Sequence, residues 1–236
     1  MDKILLPKNT TTASFIKRIN RFVATININD QVFRAHVPSS GRMKELLLPG
    51  AQVLIAPSPP GGRTDFKLLM VKHHSAWISI DSLLPNRLVK KALQNNSIPE
   101  LNGYKRVFSE QKYGNSRFDF LLQSDNKADC YLEVKSVTLV ESGVARFPDA
   151  PSERGSKHLN ELVDAVAEGF RGVVMFIVQR SDAVIFSPHE RQDEKFTKAL
   201  GRAVNKGVEV YARQCTVSPA GVILGVNLPV VIEESE

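Results

Sequence analysis

Asp119, Glu133 and Lys135 are the residues whose types and spacing best suit chemistry on a phosphate. They fall in Ser116-Arg-Phe-Asp-Phe-Leu-Leu and Cys130-Tyr-Leu-Glu-Val-Lys, two apolar segments joined by the turn formers Ser124-Asp-Asn-Lys-Ala. With a strand period of two, Phe118, Phe120 and Leu122 share one face of the first segment, and Leu132 and Val134 share one face of the second. Asp119, Glu133 and Lys135 are left on the other face. A hairpin loop centred on Asn126 sets Asp119 opposite Glu133, with Cβ atoms ~5 Å apart. Carboxylates that close repel unless a cation or a proton lies between them. Mg²⁺ (or Mn²⁺) is the expected occupant, as a hard ion that takes oxygen ligands and keeps waters for chemistry. Lys135 can then orient or deprotonate an attacking water, or neutralise charge on the phosphate. The competing reading is an exposed cross-strand ion pair of Asp119 with Lys135, worth at most ~1 kcal/mol.

Those residues need a sheet to hold them. From Pro85, suited to a first helical turn, Leu88, Val89, Ala92 and Leu93 recur at helical spacing until Asn95-Asn96 and Ile98-Pro99 stop the run. A strand near 106–112 precedes the hairpin. Beyond the Pro-punctuated Phe147-Pro-Asp-Ala-Pro-Ser-Glu-Arg-Gly, the residues Leu159, Leu162, Val163, Val166, Ala167 and Phe170 keep the 3.6-residue period. Val173–Val178 is a continuous apolar run, as in a strand buried on both faces. Parallel pairing of that run with strand 131–137 makes a βαβ unit. A helix over 193–206 and strands near 208–217 and 221–226 complete an α/β domain, residues 85–236, with a mixed central sheet.

Residues 1–84 hold short strands instead, over 14–19, 21–28, 32–37, 51–56, 66–72 and 77–80, which predicts a small oligonucleotide-binding (OB)-like β-barrel. Asn29-Asp30 fits a hairpin turn. Phe15, Phe22 and Phe33 are candidates to stack on bases, with core packing as the alternative. His73 and His74, neighbours on one strand, are expected on opposite faces and make no ligand pair.

The charge is unevenly spread. Residues 1–84 contain 11 Lys and Arg against 5 Asp and Glu, whereas the remainder contains 20 against 20, so the net +6 belongs to the barrel. A basic barrel points to a polyanion, with DNA as the expected partner. Lys17, Arg18, Arg21, Arg34, Arg42, Lys44 and Arg63 are the candidate phosphate contacts there. Arg117 is another. Arg154, Lys157 and His158 near one helix start, and Asn86 and Arg87 near another, are candidates because cationic side chains at the positive end of a helix dipole call for an anion. Glu110 is an accessory candidate for the acidic cluster, with a solvated strand position as the alternative. No apolar run reaches the ~20 residues of a membrane span, and Met1-Asp-Lys-Ile-Leu-Leu-Pro is too short for a signal peptide, so a cytoplasmic protein without a membrane partner is expected. Cys130, in phase with Leu132 and Val134, reads as a buried free thiol.

The order helix, three antiparallel strands, helix, strand, with Asp119 on the second strand and Glu133-Val-Lys135 on the third, resembles the PD-(D/E)xK nuclease superfamily, although Phe118 stands where that name places Pro. Gly41-Arg-Met-Lys-Glu-Leu-Leu, Leu84-Pro-Asn-Arg-Leu, Tyr113-Gly-Asn-Ser-Arg-Phe-Asp-Phe-Leu, Tyr131-Leu-Glu-Val-Lys-Ser-Val-Thr-Leu-Val and Phe147-Pro-Asp-Ala-Pro-Ser-Glu-Arg-Gly-Ser-Lys-His-Leu are together similar to the sugar fermentation stimulation protein A (SfsA) family. That resemblance implies an N-terminal OB domain, a restriction-endonuclease-like αβββαβ domain, DNA binding with little sequence preference, and a regulatory link to sugar, especially maltose, utilisation. Three functions stand open. The first is a DNA-binding protein. The second is a Mg²⁺-dependent nuclease in which Asp119, Glu133 and the Val134 carbonyl hold the metal and Lys135 serves the water or the transition state. The third is a catalytically silent protein interaction module.

Overall fold

The first strands close into a barrel, two of them through continuous apolar runs that are buried on both faces. In the computed structural model, which describes residues 2–232, these are β2 (Thr11–Asn20), β3 (Val23–Ile28), β4 (Gln31–His36), β5 (Gln52–Pro57), β6 (Phe66–His73) and β7 (Ala76–Ser79). They pair in the order β4-β3-β2-β5-β6-β7, and a short parallel β4–β6 contact closes the ring. Phe15, Ile26, Val53, Ile55, Leu68 and Val71 fill it. Asn29 and Asp30 make the β3–β4 turn with φ of 50° and 63°, the left-handed conformation that Asn and Asp tolerate. The two histidines differ from expectation. His74 takes φ 51° in the β6–β7 turn, and that reversal brings its ring centroid to 4.3 Å from that of His73.

The second sheet has seven strands, and its middle is what positions the acidic residues. Its members are β1 (Lys3–Ile4), β8 (Arg106–Tyr113), β9 (Ser116–Ser124), β10 (Lys127–Val137), β13 (Arg171–Val178), β15 (Glu209–Ser218) and β16 (Gly221–Leu228), in the order β1-β16-β15-β13-β10-β9-β8. β8, β9 and β10 are antiparallel neighbours, and β10 runs parallel to β13. β1 lies ahead of the barrel in the chain yet pairs with β16. A third, three-stranded sheet, β11 (Leu139–Glu141), β12 (Val144–Phe147) and β14 (Ile185–Pro188), was not expected, because strands of three or four residues are too short to show a period.

Helices cover both faces. α1 (Leu84–Gln94) buries Leu84, Leu88, Val89, Ala92 and Leu93 in a layer shared with Leu54, Leu69 and Met70 of the barrel, so one apolar layer joins the two units. Each fully buried aliphatic side chain there contributes roughly 1.5–3 kcal/mol. α2 (Glu153–Ala167) and α3 (Glu194–Asn205) cover the other face through Leu159, Leu162, Phe196 and Leu200. Asp193 fixes both of their starts: Oδ1 caps α3 by accepting from the Phe196 amide, and Oδ2 accepts from the amide of Ser152, the residue that caps α2. Gly155 permits this closeness, since a Cβ on it would lie 3.1 Å from the Phe196 ring.

The strict two-residue period expected for β9 is not kept. Phe120 and Leu122 pack on the α1 side, but Phe118 packs on the α2 side, so the alternation breaks at Asp119. Cys130 and Cys215 are free and buried. Among the described residues no helix is long and apolar enough to cross a membrane.

Candidate functional site

The expected hairpin register is present over three pairs, after a bulge between Lys127 and Cys130 shifts it by one residue from the Ser124–Lys127 pair at the turn. Leu122, Leu121 and Phe120 face Cys130, Tyr131 and Leu132, the register in which Asp119 would face Glu133. The ladder ends one pair short of it. At that point the Asp119 side chain takes over: its Oδ2 accepts from the Val134 amide at 2.7 Å, and its Oδ1 accepts from Asn86 Nδ2 at 2.6 Å. Asn86 is thereby a positioning residue for Asp119, not the phosphate contact expected from its place at a helix start.

Glu133 is 5% exposed. Its Oε1 accepts from Lys135 Nζ at 2.7 Å and from His158 Nδ1 at 2.5 Å. Arg154 Nε donates to His158 Nε2 at 3.3 Å, which assigns the ring proton to Nδ1. His158, 3% exposed, therefore anchors Glu133 from α2 and is closed off from solvent, unlike the exposed phosphate contact expected of it. Glu133 Oε2 is buried and has no hydrogen-bond partner among the described residues.

The electrostatics divide the two carboxyls. Burial pushes Glu133 up, but the Lys135 ammonium and then the His158 ring outweigh it, so its net shift is downward and it holds its charge. Asp119 moves the other way. Burial first, and the Glu133 charge second, raise its carboxyl to about 6 against the pull of the Val134 amide, Asn86 and Lys135. A buried, unpaired carboxylate oxygen beside a carboxyl that resists ionising is a site short of positive charge. The donor set, two carboxylates, suits a hard divalent ion that keeps several waters. Among the described residues no cluster of three or more His, Cys, Asp and Glu side chains is arranged to hold a metal, so any ion here would complete its shell with backbone and water oxygens.

Lys135 also lines a cleft of ≈ 270 Å³ between the barrel and the second sheet. Arg21, Ser39, Ser40 and Gly41 line it from the barrel, Val134 and Ser136 from β10, and Arg146 and Asp149 from β12 and the Pro-rich loop. Asp149 Oδ2 accepts from the Arg42 amide at 2.8 Å and ties the two walls.

The remaining basic candidates separate. Arg18 is committed to the fold, its guanidinium donating to the carbonyls of Arg21, Ser39, Gly41 and Arg42, so it is not a free phosphate contact. Arg87 pairs with Asp81 at 2.9 Å, and Lys157 donates to the Asn115 carbonyl at 3.1 Å. Lys17, Arg21, Arg34, Arg42, Lys44, Arg63, Arg117 and Arg154 are exposed. Of these, Arg21 is brought into the cleft with Lys135. Glu110 is exposed with φ 56° and makes no side-chain hydrogen bond that draws it to the cluster. Sequence reasoning missed Arg146 and Asp149, which carry no spacing signal, and the pairing of His158 with Glu133, since nothing in periodicity links residues 25 apart.

The family described as "SfsA N-terminal OB domain" matches residues 16–80, and that described as "Sugar fermentation stimulation protein RE domain" matches residues 83–221. The chain belongs to the sugar fermentation stimulation protein (SfsA) family. A "Sugar fermentation stimulation protein homolog" of Desulforamulus reducens is 49% identical over 228 residues, covering 97% of this chain and 95% of that protein. A homolog of the same description from Moorella thermoacetica is 43% identical over 221 residues, covering 93% and 95%. The structure of Pyrococcus furiosus SfsA in complex with Ca²⁺ overlays with a TM-score of 0.90 at 30% identity, covering 98% of this chain and all of that one (100%). The SfsA fold, an OB barrel followed by a mixed sheet with three helices, is thus the fold of this chain.

Proposed function

We propose that this protein binds DNA through its phosphate backbone, with little sequence preference, and holds a divalent cation at Asp119 and Glu133 on the edge of that binding cleft. The observation that carries this reading is the buried Glu133 Oε2, which has no partner and stands beside a second carboxyl. A family member at 30% identity described in complex with Ca²⁺ supports a divalent ion. Mg²⁺ or Mn²⁺ is the proposed physiological ion. It would be held by Asp119, Glu133 and the Val134 carbonyl, and would supply Lewis-acid neutralisation of a phosphate oxygen.

The chain's own residues do the rest. Asn86 and the Val134 amide fix Asp119, and His158 fixes Glu133 from the far side. Lys135 presents its ammonium from the Glu133 carboxylate toward the cleft. A phosphate entering there meets Lys135 and Arg21 together. Hydrolysis of the phosphodiester is the second reading, favoured by Lys135, whose charge is placed where negative charge would build up on the phosphate. A silent interaction module leaves the unpartnered Glu133 oxygen without a purpose. The proposed location is cytoplasmic. The tie to sugar and maltose utilisation rests on the family resemblance and not on this site.

Backbone-dominated binding has a direct test in fluorescence anisotropy across a salt series. Affinity for unrelated DNA sequences is expected to fall together, linearly in log–log form, with a slope near −0.9 per neutralised phosphate on duplex and about −0.7 on single strands. Arg42→Ala and Lys44→Ala are each expected to flatten the slope by about 1. A strong preference for one sequence, or a slope near zero, would reject the reading.

A further inference from the structure

The β2–β3 turn breaks a local rule that its neighbour obeys. Asn29 and Asp30 close the next hairpin with residues that accept positive φ. In the β2–β3 turn, Asn20 pairs with Val23, so the two turn residues are Arg21 and Phe22, and neither takes positive φ. A phenylalanine at a two-residue tip gains nothing for the turn and, at 48% exposure, little for the core. The other two aromatic candidates behave conventionally: Phe15 is 2% exposed inside the barrel, and Phe33 packs edge-on against Phe66 at 5.5 Å. Where local turn chemistry and burial both argue against a residue, a functional reason is the expected cause.

The tip is also held in place. Arg18 donates to the Arg21 carbonyl and to the carbonyls of Ser39, Gly41 and Arg42, and Phe22 itself accepts from the Val37 amide at 2.8 Å. The Phe22 amide donates to Asn20 Oδ1 at 2.9 Å. These bonds weld the tip to the loop that forms one wall of the Lys135 cleft. The Arg21 guanidinium lies over the Phe22 ring at 5.7 Å from its centroid, and Arg21 lines that cleft. A rigid aromatic ring joined to a cation that faces a phosphate-binding cleft is the combination that takes a nucleotide: phosphate on the cation, base on the ring. Bases in a duplex are already stacked on one another, so such a ring takes only a base that has left its stack.

We propose that Arg21 and Phe22 form a stacking platform for an unpaired nucleotide next to the Lys135 cleft, which directs the protein to single-stranded or frayed DNA. This rests on the DNA-binding reading above and adds the form of the DNA to it. The test is fluorescence anisotropy of the full chain, in chelator, with a thymidine oligonucleotide of about 16 nucleotides and a blunt duplex of the same length. The same titrations are run with Phe22→Ala and Phe22→Trp. Wild-type protein is expected to prefer the single strand. Phe22→Ala is expected to bind it roughly 10-fold more weakly with duplex binding unchanged, and Phe22→Trp to retain the preference. An oligonucleotide carrying 2-aminopurine should be quenched on binding wild type and Phe22→Trp but not Phe22→Ala. Equal affinity for both forms, or single-strand binding and quenching that survive Phe22→Ala, overturns the platform while leaving DNA binding intact. No retention of either DNA form at low salt overturns both.

Discussion

In chelator at pH 8, Asp119→Asn is expected to melt several degrees above the wild-type protein, and to gain nothing from the Mg²⁺ or Mn²⁺ that raises the wild type. The Asp119 carboxyl titrates at about 6 in the fold against an ordinary value of 3.8. A carboxyl raised by folding costs stability once it is ionised. The cost is absent below about pH 4, grows as pH rises from there to about 6, and is complete above that. Roughly two pH units correspond to a ceiling of about 3 kcal/mol. An asparagine removes the charge and keeps the contacts, since its oxygen can accept from the Val134 amide and the Asn86 amide can turn to present its own oxygen. A divalent ion cancels the same repulsion in the wild type alone, by mass action on the folded state. Scanning calorimetry of both proteins at pH 4.5 and pH 8, with chelator and with Mn²⁺, checks each part. Equal melting temperatures and equal metal shifts would remove both the repulsion and the ion.

Lys135→Ala is expected to move stability in the opposite direction. Lys135 and Glu133 form an ion pair at 2.7 Å with side chains only 11% and 6% exposed. Removing one partner leaves a buried carboxylate uncompensated, a change that typically costs about 3–5 kcal/mol. His158 remains on Glu133 Oε1 and holds the loss below a complete failure to fold. Because the variant lacks more positive charge than the wild type, Mn²⁺ should raise its melting temperature by more than it raises the wild type's. Incubation with linear, supercoiled and single-stranded DNA and metal should leave every substrate uncut by this variant, while cutting by the wild type would decide for the hydrolytic reading. Thermal melts of Lys135→Ala indistinguishable from wild type would show that the pair does not operate as described.

The architecture was legible where a period repeats often enough to be read. α1, α2 and α3 each carry four or more apolar positions at helical spacing, and the buried run of β13 announces itself by its length. The hairpin register beside Asp119 was legible from the apolar pattern of the two strands, but the bulge between Lys127 and Cys130 that sets it was not, since the Ser124–Lys127 turn alone gives a register one residue off. The break of alternation at Asp119 was not, because it arises where β9 leaves the ladder and a side chain, instead of the backbone, answers the Val134 amide. Charge was readable as a total but not as an allocation. Arg18 and Arg21 are three residues apart and look alike in the sequence, yet the first is spent on four carbonyls and the second faces the cleft. His158 illustrates the same limit: its place at a helix start suggested an anion, and the tertiary fold turned it inward onto Glu133.

The most direct test is a crystal soaked in MnCl₂ and measured for anomalous scattering. The proposed metal site requires one strong peak between Glu133 Oε2 and the Asp119 carboxylate, within coordination distance of both and lost in Asp119→Asn. A map with no peak there, with the Mn²⁺ bound only elsewhere on the protein, would contradict it.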